Sequence, residues 1–169
     1  MMNPKRQIKA RGTLKVGSVF AVPLGDGTYG FGQICNGMDH AYFDLRSETI
    51  LPLENVIAHR VLFRIPVAVD AIKSGKWSII GQSPLTGNLA EPGKYRHQPV
   101  GSNQLYLYQA GQSLPADLEK VKDLELFAVW FDMHVVERLL DHFAAKPNRT
   151  VEFFKIIKKY DTQTGQEIR

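Results

Sequence analysis

The chain has 169 residues and a mass of 19.0 kDa, the size of one domain able to bury about 70% of the surface its unfolded form exposes. Hydrophobic residues make up 44% and charged residues 22%, ordinary proportions for a soluble globular protein, and no apolar run approaches the ~20 residues of a membrane-spanning helix. A single cysteine, Cys35, excludes an intrachain disulfide and a cysteine-based zinc cluster.

The net charge of +4 is unevenly placed. Residues 1–15 carry Lys5, Arg6, Lys9, Arg11 and Lys15 and no acid, whereas the remainder has 16 bases against 17 acids. Residues 1–13 therefore read as a basic flexible leader, and 14–169 as a single globular domain of almost neutral charge. The apolar stretch after the leader, Val19 to Leu24, is too short for a secretory signal, so a cytoplasmic location is expected.

Val16 to Ile34 reads as a β-hairpin, with Asp26-Gly27 as a tight primed turn. Gly30 and Gly32 alternate with Tyr29 and Phe31, giving a strand with one bulky and one bare face, as at a bulge, a barrel bend or a close approach of another backbone. Asn36-Gly37 marks a second turn, and Ala41 to Leu45 a third strand. Val61 to Val69 is strand-like, with Pro66 confining it to an edge or bulge. Trp77 to Ile80 begins another strand.

Residues 81–103 differ from their surroundings. Gly81, Pro84, Gly87, Pro92, Gly93, Pro99 and Gly101 predict an irregular loop, and such connections beyond about 12–15 residues are often functional or disordered. Leu105 to Tyr108 resumes strand character. Leu126 to Phe131 has the composition of a strand buried on both faces. Asp132 then N-caps a helix over about 132–145, with Val135, Val136, Leu139, Leu140 and Phe143 on one stripe and Lys146-Pro147 as the stop. Val151 to Tyr160 fits a helical stripe, but its β-branched and aromatic content favours a strand. The fold class expected is α+β: mostly antiparallel sheet or a small barrel, with one main helix packed on it.

Reactive groups show no catalytic pattern. The five histidines, His40, His59, His97, His134 and His142, include no i, i+4 metal pair. There is neither a Gly-x-Ser-x-Gly elbow nor a phosphate loop. Glu119, Asp123 and Glu125 alternate with Lys120 and Lys122, as on a solvated face. Cys35 sits among strand-like residues and reads as a small buried hydrophobe; the rival role, a thiol nucleophile, predicts reaction with an alkylating probe. No catalytic residue, metal ligand or cofactor site is assigned. Lys94, Tyr95, Arg96 and His97 are the candidate partner-binding residues, because Tyr and Arg dominate interface hot spots. On that reading, Tyr95→Ala or Arg96→Ala weakens binding and leaves the melting temperature unchanged.

Three separated segments resemble one family. They are Val16-Gly17-Ser18-Val19-Phe20-Ala21-Val22-Pro23-Leu24 with Asp26 to Gly32; Lys76-Trp77-Ser78-Ile79-Ile80-Gly81 with Pro84-Leu85; and Ala128-Val129-Trp130 through His134 to Arg138 and Asp141-His142-Phe143 to Pro147-Asn148. Their order and spacing are similar to those of the immunity protein 26 family of bacterial polymorphic toxin systems, over about residues 14–157. The resemblance implies a small intracellular protein that binds a cognate toxin domain and blocks it, without catalysis or cofactor. It supplies no functional residues, and the matching positions read as scaffold. The leader and the tail after Tyr160 depart from the family. A near-neutral body gives no support to acidic mimicry of nucleic acid.

The rival reading is a small-barrel nucleic-acid-binding module, suggested by the hairpin and the basic leader. It predicts salt-sensitive binding that falls when residues 1–15 are deleted. The charge distribution disfavours it.

Overall fold

A computed structural model describes residues 14–36 and 38–169. The basic leader and Gly37 of the second turn lie outside the described residues.

Strands β1 (Ser18–Pro23), β2 (Tyr29–Ile34) and β3 (Asp39–Phe43) form an antiparallel meander. A short helix, α1 (Leu53–Ile57), leads to β4 (Val61–Pro66), and α2 (Asp70–Lys73) leads to β5 (Ser78–Gln82). The sheet order is β4-β3-β2-β1-β5, an open sheet with β4 and β5 at its edges. Pro66 is thus on an edge strand, where its missing N–H costs no ladder bond. The first connection is looser than a two-residue primed turn: Leu24 N donates to Thr28 O at 2.9 Å, and Gly25 and Gly27, not Asp26, take positive φ.

Both faces of the sheet are covered, which is why β1 is apolar at successive positions. Phe20 and Val22 point into one layer with Ile34, Tyr42, Ile65, Trp77 and Trp130. Val19 and Ala21 point into the other with Phe31, Phe43 and Val56. The first layer is closed by α4 (Asp132–Phe143), whose Val135 and Leu139 are buried. The bare face of β2 is what lets it close. A methyl at Gly32 would lie 2.5 Å from Phe20 Cζ, and one at Gly30 would lie 2.9 Å from Leu139 Cδ1. The space is taken chiefly by a ring and a helix side chain, and at Gly32 also by a neighbouring backbone, with Ala41 O 3.0 Å from the added methyl.

A second sheet holds β6 (Lys94–His97), β7 (Tyr106–Gln109) and β8 (Gln112–Pro115), in that order. Residues 81–103 are therefore more regular than their Pro and Gly content suggests: β5 runs to Gln82, a 3-10 turn spans Gly87–Ala90, and β6 fits between Pro92 and Pro99. β7 and β8 are joined by a two-residue turn with both Ala110 (φ 52°) and Gly111 (φ 78°) left-handed. After β8 come α3 (Leu118–Val121), α4 and α5 (Arg149–Phe154), then a small hairpin of β9 (Lys159–Tyr160) and β10 (Glu167–Ile168).

Three more expectations need correction. Leu126 to Phe131 is not a doubly buried strand: it is pinned at two single points, Leu126 to Arg96 of β6 and Trp130 to Val67 beyond β4, and Val129 and Phe131 are exposed. Asp132 is the first helical residue, with Phe131 at the cap position. Its carboxylate, held below the usual range chiefly by Lys76 at 2.6 Å, also accepts from Met133 N at 2.9 Å. The start of 151–160 is helical, because Asn148 Oδ1 accepts from Val151 N at 2.9 Å and caps α5.

The expected α+β class is the observed one. Trp130 is 2% exposed, so Trp130→Ala should cost about 3–5 kcal/mol in urea unfolding. His40, 1% exposed and edge-on to Phe20, is pushed from 6.5 down to about 4 by burial. An unfolded chain takes up a proton near pH 6.5 that the folded one refuses until about pH 4, so this share of stability is complete above pH 6.5 and drains as the pH falls toward 4. The difference amounts to about 3 kcal/mol. Melting curves between pH 7 and pH 4 should fall less steeply for His40→Leu than for the parent; parallel curves would show that His40 does not set the slope.

Candidate partner-binding surface

The four candidate residues all fall on β6, but alternation and packing split them. Lys94 is exposed and His97 half-buried, whereas Tyr95 is 2% and Arg96 3% exposed. Tyr95 packs on Phe127, which in turn stacks on Tyr108 with ring centroids 3.7 Å apart. Arg96 is tied in through its main chain, N to Glu125 O at 2.8 Å and O from Phe127 N at 2.7 Å. Its guanidinium donates to Phe154 O. Burial lowers the pKa of that guanidinium, while the Glu125 carboxylate favours its charge. These two side chains hold β6 in place. The expectation that replacing them leaves the melting temperature unchanged gives way to their burial.

Behind β6 lies a buried polar junction that the sequence did not reveal. Asp39 of β3 meets Arg64 Nε of β4 at 3.2 Å, and Arg64 Nη1 donates to Glu91 O at 2.9 Å and Asn88 O at 3.3 Å. The Tyr95 hydroxyl faces the Asp39 carboxylate without completing a hydrogen bond of good geometry. Burial raises the Asp39 carboxyl above the usual range, against the Arg64 charge and the Tyr95 and Gly93 donors that favour ionisation. Burial, aided by Asp39, also pushes the Tyr95 hydroxyl up. Gly93 is the residue that lets the two sheets meet here: a methyl on it would lie 2.5 Å from Asp39 Oδ2 and 2.8 Å from Tyr95 Oη. Only that glycine, beside Pro92 in a tract read as loop, hinted at a close approach.

Cys35 is fully buried, and burial raises its thiol from 9.0 to about 11. Burial of this kind leaves an uncharged thiol at neutral pH, the setting of a structural cysteine and the opposite of an activated nucleophile. No group of three or more His, Cys, Asp or Glu among the described residues could hold a metal ion. No helix among them is long and apolar enough to cross a membrane.

What the surface does offer is relief and apolar exposure. A cleft of about 340 Å³ opens between the sheets, walled by Met38, Pro92, Tyr108, Phe127 and Val129, with Asp39 and Tyr95 at its floor. Exposed Met38, Val129, Phe131 and Met133 continue along the 126–133 segment and the loop before β3. Large apolar and aromatic side chains of this kind are what protein interfaces bury.

A family model described as Immunity protein 26 matches residues 15–105, more than half of the chain. The match covers the five-stranded sheet and β6 and ends just before β7. Neither a curated protein nor a solved structure matches.

Removing the Tyr95 ring should cost about 3–5 kcal/mol as Tyr95→Ala, whereas Tyr95→Phe, which loses only the hydroxyl, should cost about 1 kcal/mol. Urea unfolding of the two variants measures the difference. Equal losses would place the contribution in the hydroxyl and not in the packing against Phe127.

Proposed function

Because the chain belongs to the immunity protein 26 family, we propose that it is a cytoplasmic immunity protein that binds a cognate bacterial toxin domain and neutralises it by protein–protein contact. The family match over the sheet platform is the observation that carries this reading. The exposed apolar residues and the inter-sheet cleft support it, since a standard interface of about 1,600 Å² needs aromatic and apolar anchors with a polar rim. Inhibition on this reading is occlusion: a rigid surface covers the toxin's active cleft, and no bond is made or broken. Within the candidate segment, contact falls to Lys94 and His97, whose side chains reach the surface, while Tyr95 and Arg96 fix the strand that carries them.

Co-expression with a cognate toxin domain is expected to restore growth of cells that the toxin alone kills, with an equimolar complex on size-exclusion chromatography. Lys94→Glu combined with His97→Ala should weaken that complex by at least about tenfold, or ~1.4 kcal/mol, with the melting temperature unchanged. Growth arrest despite soluble, folded protein would overturn the immunity reading; an undiminished affinity would remove β6 from the interface.

A further inference from the structure

β4 is an edge strand, and among the described residues Val61 to Ile65 make no backbone hydrogen bond outside their pairing with β3. The far end of the strand is closed, since Trp130 N donates to Pro66 O and Ala68 N donates to Trp130 O. In such a strand alternate residues turn their N–H and C=O groups outward, and Leu62, unpaired between Val61↔Phe43 and Phe63↔Tyr42, interrupts the register. The outward groups form a short template onto which one more strand can pair. β8 is also an edge, but its four residues are all exposed and wall neither of the clefts that flank β4.

Those clefts lie on opposite faces of the same strand and differ in chemistry. On one face, Val61 and Arg64 wall a cleft of about 520 Å³ with Phe43, Ile57 and Leu89. On the other, Leu62 and Phe63 wall a cleft of about 340 Å³ with Arg60, Arg138, His142 and Lys146. Among the described residues no carboxylate lines either cleft, but the second holds three Lys or Arg side chains against one in the first. From outside the second cleft, Asp44 reaches Arg60 at 2.8 Å and His142 at 3.0 Å, and Glu125 reaches Arg138 at 2.5 Å. Lys146 has no ion-pair partner among the described residues, and Arg138 Nη1, beside the Phe63 ring, is buried without a hydrogen-bond partner. An added strand sends successive side chains to opposite faces. One occupant fills both clefts only if its residues alternate in kind.

We propose that β4 accepts an extended segment of the toxin domain as a sixth strand, with acidic side chains entering the Arg138 cleft and uncharged apolar ones entering the Phe43 cleft. Main-chain pairing supplies the register, and charge complementarity selects the sequence. The identity of the partner rests on the immunity reading; the preference for an alternating acidic strand does not.

The test uses the full chain with two probes, a Val-Glu repeat peptide and a Val-Lys repeat peptide, each at millimolar concentration, followed by amide hydrogen exchange and two-dimensional NMR. The acidic peptide is expected to slow exchange at alternate amides of residues 61–65 and to shift resonances around both clefts, and the basic peptide to do neither. Arg60→Glu with Lys146→Glu, both exposed side chains, should lower the acidic peptide's affinity by about tenfold, the scale set by reversing two exposed charges, and leave the fold intact. Equal responses to both peptides, no response to either, or protection at β8 instead would overturn the proposal. So would protection of 61–65 that grows with protein concentration alone, which marks a second copy of this chain. With the toxin domain itself, neutralisation without protection of 61–65 would remove β4 and leave the immunity reading standing. Peptide binding without neutralisation would do the reverse.

Discussion

The architecture depends on one accommodation: two residues of β2 have no side chain where the fold needs room. Phe20 of β1 lies across Gly32, its register partner on β2, and stacks on Trp77 with centroids 5.6 Å apart and planes within 7°. One turn of α4 then reaches Gly30 through Leu139. Any Cβ at these positions would lift the ring or the helix and open the layer that also holds Tyr42, Ile65 and Trp130. Interiors packed to crystal density have little slack to absorb such a shift. The glycines that look like weak points in a strand are therefore what makes a tight helix–sheet contact possible.

On the opposite face, polar contacts do a comparable job of joining. Asp39 and Arg64 belong to the five-stranded sheet, Glu91 and Gly93 to the connection, and Tyr95 to the three-stranded sheet. Breaking one member of such a buried group leaves the rest uncompensated, which is costly even where the intact group adds little stability. Its value here is geometric, because it fixes the orientation of β6 and of the inter-sheet cleft beside it. The 126–131 segment makes the second join, touching β6 through Leu126 and the end of β4 through Trp130.

Legibility in the sequence followed the length over which a pattern repeats. Helix α4 could be read because Val135, Leu139 and Phe143 sustain a 3.6-residue stripe over three turns, and the first two strands because an apolar run, a Gly-rich turn and the glycine alternation of the second strand agree. The 126–131 segment misled because aromatic, β-branched composition suits any buried extended chain, whether it pairs along its length or at two points only. β6 was hidden by its four-residue length between two prolines. α5 depends on a single side chain, Asn148, whose role as a cap shows only once Asp141 holds it, with Asn148 Nδ2 donating to Asp141 Oδ2 at 2.9 Å. In the candidate tetrad composition hid the packing: Tyr95 and Arg96 have the residue types of a hot spot, but they are core residues. Asp39 and Arg64 carried no signal, since their partnership exists only after β3 and β4 pair.

The burial of Cys35 has a practical side. With the chain's sole sulfhydryl fully buried and its pKa raised by that burial, reagents aimed at thiolates should find no native target in the folded state. A cysteine introduced at any solvent-facing position would carry a fluorophore, spin label or photocrosslinker alone, without prior removal of the natural one. The fold arrives as a ready background for mapping its own contacts, one labelled position at a time.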